Sequence, residues 1–126
     1  MSGVGRADVI AFVSTTDMAR ARGFYADVLG LTLIEESPFA LVFDANGTML
    51  RVTMVESVAQ ATYTVLGWRV DDIVAIAHEL TGRGVALVRY DGMEQDEMGV
   101  WTTPGGDRVA WFRDPDGNTL SVTQFG

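Results

Sequence analysis

The chain of 126 residues has no cysteine, which excludes disulfides and thiolate metal sites. It has one histidine, His78, so imidazole chemistry is confined to a single position. No apolar run approaches the ~18–20 residues needed to span a bilayer. Val9 to Val13 is too short for the hydrophobic region of a signal peptide, and nothing resembling a cleavage site follows it. Low-complexity tracts and obvious linkers are also missing. Positive charge is scarce: 9 basic residues stand against 17 acidic ones, for a net charge of −8. Such a surface repels phosphate backbones and anionic lipid, so neither nucleic acid nor a membrane is an expected partner. The expectation is a soluble cytoplasmic protein.

What remains is ordinary globular material, 48% hydrophobic and 21% charged, at a length that suits one domain with a real core. The pattern inside it is repeated. "DANGTMLRVT" (44–53) recurs as "DPDGNTLSVT" (114–123), with Asp, Gly, Leu, Val and Thr at matching positions seventy residues apart. The Asp and Gly are turn residues, and the alternating Leu and Val mark one buried strand face. Upstream of each copy a strand precedes a helix. "ADVIAFVST" leads to Thr16 or Asp17 as a cap, then to Ala21, Phe24, Tyr25 and Val28 at helical spacing, stopped by Gly30. "TYTVLGWRV" leads to Asp71 or Asp72 as a cap, then to Ile73, Ile76, Ala77 and Leu80, stopped by Gly82 and Gly84. Helices are predicted near 17–29 and 71–82. Short strands follow each, at 31–36, 39–44 and 48–55, and at 85–90, 99–103 (or 108–113) and 119–124.

The plan is βαβββ written twice. The predicted fold is α+β: one domain over 1–126, with tandem modules at about 7–57 and 61–126. One such module covers only one face of its sheet with a helix. Two of them, forming a curved mixed sheet with helices outside, would enclose a cleft that neither makes alone.

"TTDMARARGFYADVLGL", "LGWRVDDI" and "WFRDPDGNTLSVTQF" resemble the vicinal oxygen chelate superfamily, the fold of glyoxalase I, extradiol dioxygenases, fosfomycin-resistance enzymes and bleomycin-binding resistance proteins. The resemblance runs over roughly 7–125 and implies the paired-module fold. It also implies where a metal would sit: early on the first strand and midway along the last strand of each half. Those positions hold Ile10, Val65, Arg51 and Ser121. None suits a hard divalent cation, and Arg51 sets a fixed positive charge where the cation belongs. Asp8 is the one carboxylate within two residues of these positions. No metal and no other cofactor is therefore expected. His78 lies about 200° around its helix from Ile76, on the outer face, and supplies no substitute.

Alternation assigns the remaining cleft residues. Ile10 and Phe12 share a face; so do Tyr63, Val65, Gly67 and Arg69; Arg51 and Ser121 face the same way from the last strands. Across a two-residue turn Val42 opposes Arg51 and Phe112 opposes Ser121, while a longer turn brings Trp111 to that place. The expected ligand-binding residues are Ile10, Phe12, Arg51, Val65, Arg69, Trp101, Phe112 and Ser121. They suit a partly aromatic organic molecule with an anionic or carbonyl group. Trp68, Trp101 and Trp111 also fit a plain core role, and Arg51 a structural ion pair. Glu94, Asp96 and Glu97 in "DGMEQDEMGV" are the candidate proton-transfer groups, against a simpler reading as a solvated acidic loop.

Three functions follow: a metal-free binder of a small molecule; a metal-independent lyase, isomerase or epimerase using Arg51 and a loop carboxylate; and a structural or regulatory dimeric module. A homodimer is expected, because edge strands seek partners.

Overall fold

The computed structural model describes residues 3–126, which form two compact units that part between Ser57 and Val58. In the first unit, β1 (Ile10–Thr15) runs parallel to β4 (Thr48–Met54). β4 pairs antiparallel with β3 (Ala40–Ala45), and β3 with β2 (Thr32–Glu36), giving the order β1-β4-β3-β2. The connection from β1 is helical. Asp17 accepts the Arg20 amide at 3.1 Å and starts α1 (Met18–Arg22). The helix widens into a π-helical stretch over Gly23–Val28, where the Leu29 amide reaches back to the Phe24 carbonyl, and Gly30 ends it at φ 76°.

This helix covers one face of the sheet. Ala21, Phe24 and Tyr25 pack on Val13, Leu41, Phe43, Leu50 and Val52, all of them buried, with the Tyr25 and Phe43 rings 6.0 Å apart. Side chains of this size stabilise by about 1.5–3 kcal/mol each when fully buried. The opposite, helix-free face carries Ile10, Phe12 and Ser14 on β1, beside Met49, Arg51 and Thr53 on β4. Its β1 side chains are much less covered, with Phe12 58% exposed and Ile10 45%, whereas Ala40 and Val42 on β3 are buried.

The second unit repeats the layout. β5 (Leu66–Arg69) runs parallel to β8 (Thr119–Gln124). β7 (Arg108–Arg113) and the two-residue β6 (Trp101–Thr102) complete the order β5-β8-β7-β6. Asp72 caps α2 (Ile73–Gly82) through the Ala75 amide, and Gln124 Oε1 accepts the Ile73 amide at 2.9 Å. Ile73, Ala77 and Leu80 are buried with Ala110, Phe112, Leu120 and Val122, while His78 is exposed. Each unit is thus a βαβββ module of an α+β fold. No helix among the described residues is long and apolar enough to cross a membrane.

Two details depart from expectation. The segment 85–90 forms no strand; a single bond from the Val88 amide to the Trp111 carbonyl, 2.8 Å, ties it to β7. A side chain does the work of a ladder instead. Gln95 accepts the Tyr90 amide and donates to the carbonyls of Val88 and Gly99, at 2.8–2.9 Å. The three strands after α2 are therefore β6, β7 and β8.

The second departure lies in the repeated hairpin. Ala45 pairs with Thr48 across the two-residue turn Asn46-Gly47, whose φ angles of 51° and 93° fit a type I′ turn. In the second copy Ala45 is replaced by Pro115, which has no N–H to pair. The chain closes one residue earlier, with the Asp114 amide on the Asn118 carbonyl, and the turn takes three residues, ending on Gly117 at φ 85°. Asp114 Oδ1 accepts the Asp116 and Asn118 amides inside it. One extra residue moves the register by one, so Trp111 opposes Ser121 and Phe112 opposes Leu120.

Candidate functional site

Registers across the first sheet place side chains in rows on the helix-free face. One row crosses all four strands. Phe12 on β1 neighbours Arg51 on β4; Arg51 opposes Val42 on β3; Val42 opposes Glu35 on β2. Arg51 is half-buried, and it has no hydrogen bond or ion pair among the described residues. A guanidinium that has lost part of its water and gained no acid is costly to keep. Its neighbours are apolar: Phe12 beside it, Ile10 and Met49 in the preceding row, Val42 across from it. The geometry offers five N–H donors on an apolar floor, which suits a carboxylate or another oxyanion on a hydrophobic body.

In the second unit the corresponding row is Gly67 on β5, Ser121 on β8 and Trp111 on β7. Ser121 is buried, and a Cβ on Gly67 would meet its Oγ at 3.0 Å, a tight approach that the absence of a side chain at Gly67 avoids. Val65 precedes β5, its amide bonded to the Thr119 carbonyl. Arg69 is exposed, with its guanidinium 5.3 Å from the centre of the Phe125 ring. Trp101, opposite Val109, stands on the helix-free face and tilts against Trp111 at 6.2 Å. Tyr90 meets Trp111 edge-on at 5.4 Å, and its buried hydroxyl has no hydrogen-bond partner.

Phe112 does not join this group. It is 1% exposed on the helix-covered side, stacked with Trp68 at 6.4 Å, because the longer turn has exchanged it with Trp111. Phe112 is a core residue, and the place opposite Ser121 expected for it from a two-residue turn is held by Trp111.

The acidic loop divides. Asp96 Oδ1 accepts the Met98 and Val100 amides, both at 2.9 Å, which is a loop-shaping role. The Glu97 carbonyl accepts from Arg89 at 2.6 Å. Glu94 lines an open pocket of about 460 Å³ together with Asp91, Gly92, Met93 and Trp101.

Sequence patterning missed Glu35. Alternation along β2 would put Ile34 opposite Val42, but a bulge between Leu33 and Glu35 brings Glu35 there instead. Glu36 then turns to the helix side and binds Arg22 at 2.7 Å. The adjacent pair "EE" was the only signal for this division.

The positions at which the resemblance implies metal ligands hold Ile10, Arg51, Val65 and Ser121. Among the described residues no group of three or more His, Cys, Asp or Glu side chains could hold a metal ion. The residues present do not fit the metal of that chemistry.

Two βαβββ modules of this topology define the class of paired-module α+β proteins. The model of the Glyoxalase/Bleomycin resistance protein/Dioxygenase superfamily matches residues 6–122, and the chain belongs to that family. No curated protein sequence gives a significant match. Among solved structures, lactoylglutathione lyase from Agrobacterium tumefaciens is 21% identical, with a TM-score of 0.71 over 94% of this chain and 93% of that one. The genomically encoded fosfomycin resistance protein from Listeria monocytogenes is 13% identical, with a TM-score of 0.76 over 100% and 95%. A family member from Alicyclobacillus acidocaldarius is 16% identical, with a TM-score of 0.72 over 95% and 92%. At these identities the likeness is one of fold.

Proposed function

We propose that this protein is a metal-independent, small-molecule-binding member of its family, and that the helix-free face of its first unit takes an organic anion with an apolar body. The observation that carries the reading is Arg51: a half-buried guanidinium with no acid beside it, set among Phe12, Ile10, Met49 and Val42. A ligand carboxylate supplies the missing partner, and the exposed Phe12 and Ile10 supply apolar contact. The fosfomycin resistance protein and the lyase named above share the fold, but the ligand argument rests on Arg51 alone.

The test is calorimetric titration with phenylacetate, in the presence of EDTA, of the wild-type protein and Arg51→Leu. Binding by the wild type that is unaffected by EDTA, and about 10- to 100-fold weaker in the variant, is the expected result; that range is the worth of a charge-assisted hydrogen bond. Equal affinities in the two proteins would remove Arg51 from the site. Mass spectrometry of the same mixtures separates a binder from a metal-independent enzyme, since a binder returns its ligand unchanged.

A further inference from the structure

We infer that Glu35 is a second charged anchor of the Arg51 face and that the ligand is dipolar, carrying a cationic group as well as an anionic one. The inference rests on the reading of Arg51 as the anion site and adds to it. Four strands set Phe12, Arg51, Val42 and Glu35 side by side in one row of the helix-free face. Glu35 is there only because of the bulge at Leu33/Glu35; an unbroken β2 would put its side chain under the helix. Its sequence neighbour Glu36 does face that side, and there it is neutralised by Arg22. Glu35 has no such partner: among the described residues it makes no hydrogen bond or ion pair. Nor does it pair with Arg51. Val42 intervenes, and the two backbones lie two strand spacings apart, about 9.6 Å. The row therefore presents a free cation and a free anion on either side of an aliphatic residue, flanked by an exposed aromatic ring. A molecule with a carboxylate or similar anion at one end, an ammonium at the other and an apolar spacer satisfies both charges; its apolar contact comes from the exposed Phe12, since Val42 between the charges is already buried.

The probes are three compounds on one ring: phenylacetate, benzylamine and 4-(aminomethyl)phenylacetate. Each is titrated into the wild type, Glu35→Gln and Arg51→Leu by calorimetry, with circular dichroism confirming that each variant is folded. The expected result is that the dipolar compound binds the wild type about three- to ten-fold more tightly than phenylacetate. Glu35→Gln should erase that advantage and leave phenylacetate unchanged or slightly tighter, while Arg51→Leu weakens both. If phenylacetate binds through Arg51 but the ammonium adds nothing, or Glu35→Gln leaves the advantage intact, the role of Glu35 is overturned and the anion site stands. If Arg51→Leu changes neither affinity, or no probe binds, the anion site itself fails and Glu35 falls with it.

Discussion

The two units share a topology and differ in what they place at the same point. Midway along the last strand the first unit has Arg51 and the second Ser121. Around Arg51 stand Phe12, Val42 and, one strand further, Glu35; around Ser121 stand Gly67 and Trp111. At this point one helix-free face sets a charge on an apolar floor, and the other is neutral and aromatic. The cores beneath, Leu50 and Val52 against Leu120 and Val122, keep the same residues and are buried in both units.

The hairpins carry the same lesson in the backbone. Pro115 in place of Ala45 lengthens the second turn by one residue and exchanges Trp111 with Phe112. The largest expected effect comes from this slip. Phe112→Ala should destabilise the protein by about 3–5 kcal/mol, as for other buried aromatic truncations, whereas Trp111→Ala should cost clearly less. Denaturant unfolding of both variants checks it; equal costs, or the reverse order, would argue for the two-residue turn. The turns themselves sharpen the comparison. Gly47→Ala forces a side chain into a positive-φ conformation and should cost about 1–2 kcal/mol, and Gly117→Ala should cost at least as much because its Cβ also displaces the Gln60 amide from the Asp116 carbonyl, measured the same way.

Smaller effects separate structural polar groups from idle ones. Tyr90→Phe removes a buried hydroxyl with no partner, so it should leave stability unchanged or raise it by up to about 1 kcal/mol, read from the melting temperature. A loss instead would mean that the hydroxyl is satisfied in solution. At the lower end, Glu36→Gln should cost about 0.2–1 kcal/mol, since the Arg22–Glu36 bridge is 44% exposed at both ends, while Glu35→Gln should cost nothing measurable.

Much of the fold was legible in the sequence, because periodicity and turn residues act locally. The caps at Asp17 and Asp72, the buried alternation of β4 and β8, and the Asn46-Gly47 turn all follow from neighbours within a few residues. What was not legible depends on one-residue insertions and distant partners. The bulge that turns Glu35 outward and the extra turn residue that turns Phe112 inward each invert a face without changing the hydrophobic pattern. Residues 85–90 read as a strand, but the Gln95 amide, bonding from outside that segment, satisfies the Tyr90 N–H and the Val88 carbonyl without one. At the candidate site, Arg51 was legible as the cation standing where a metal ligand would be. That its side chain makes no ion pair among the described residues required the structure.

The most direct test of the account is a map of where an organic anion lands. Backbone amide shifts of the isotopically labelled protein are followed by NMR during titration with phenylacetate. The account predicts perturbations centred on the row of Phe12, Val42 and Arg51, with Trp101, Trp111 and Ser121 little changed. Perturbations centred on Trp101, Trp111 and Ser121, with the Arg51 row silent, would contradict it.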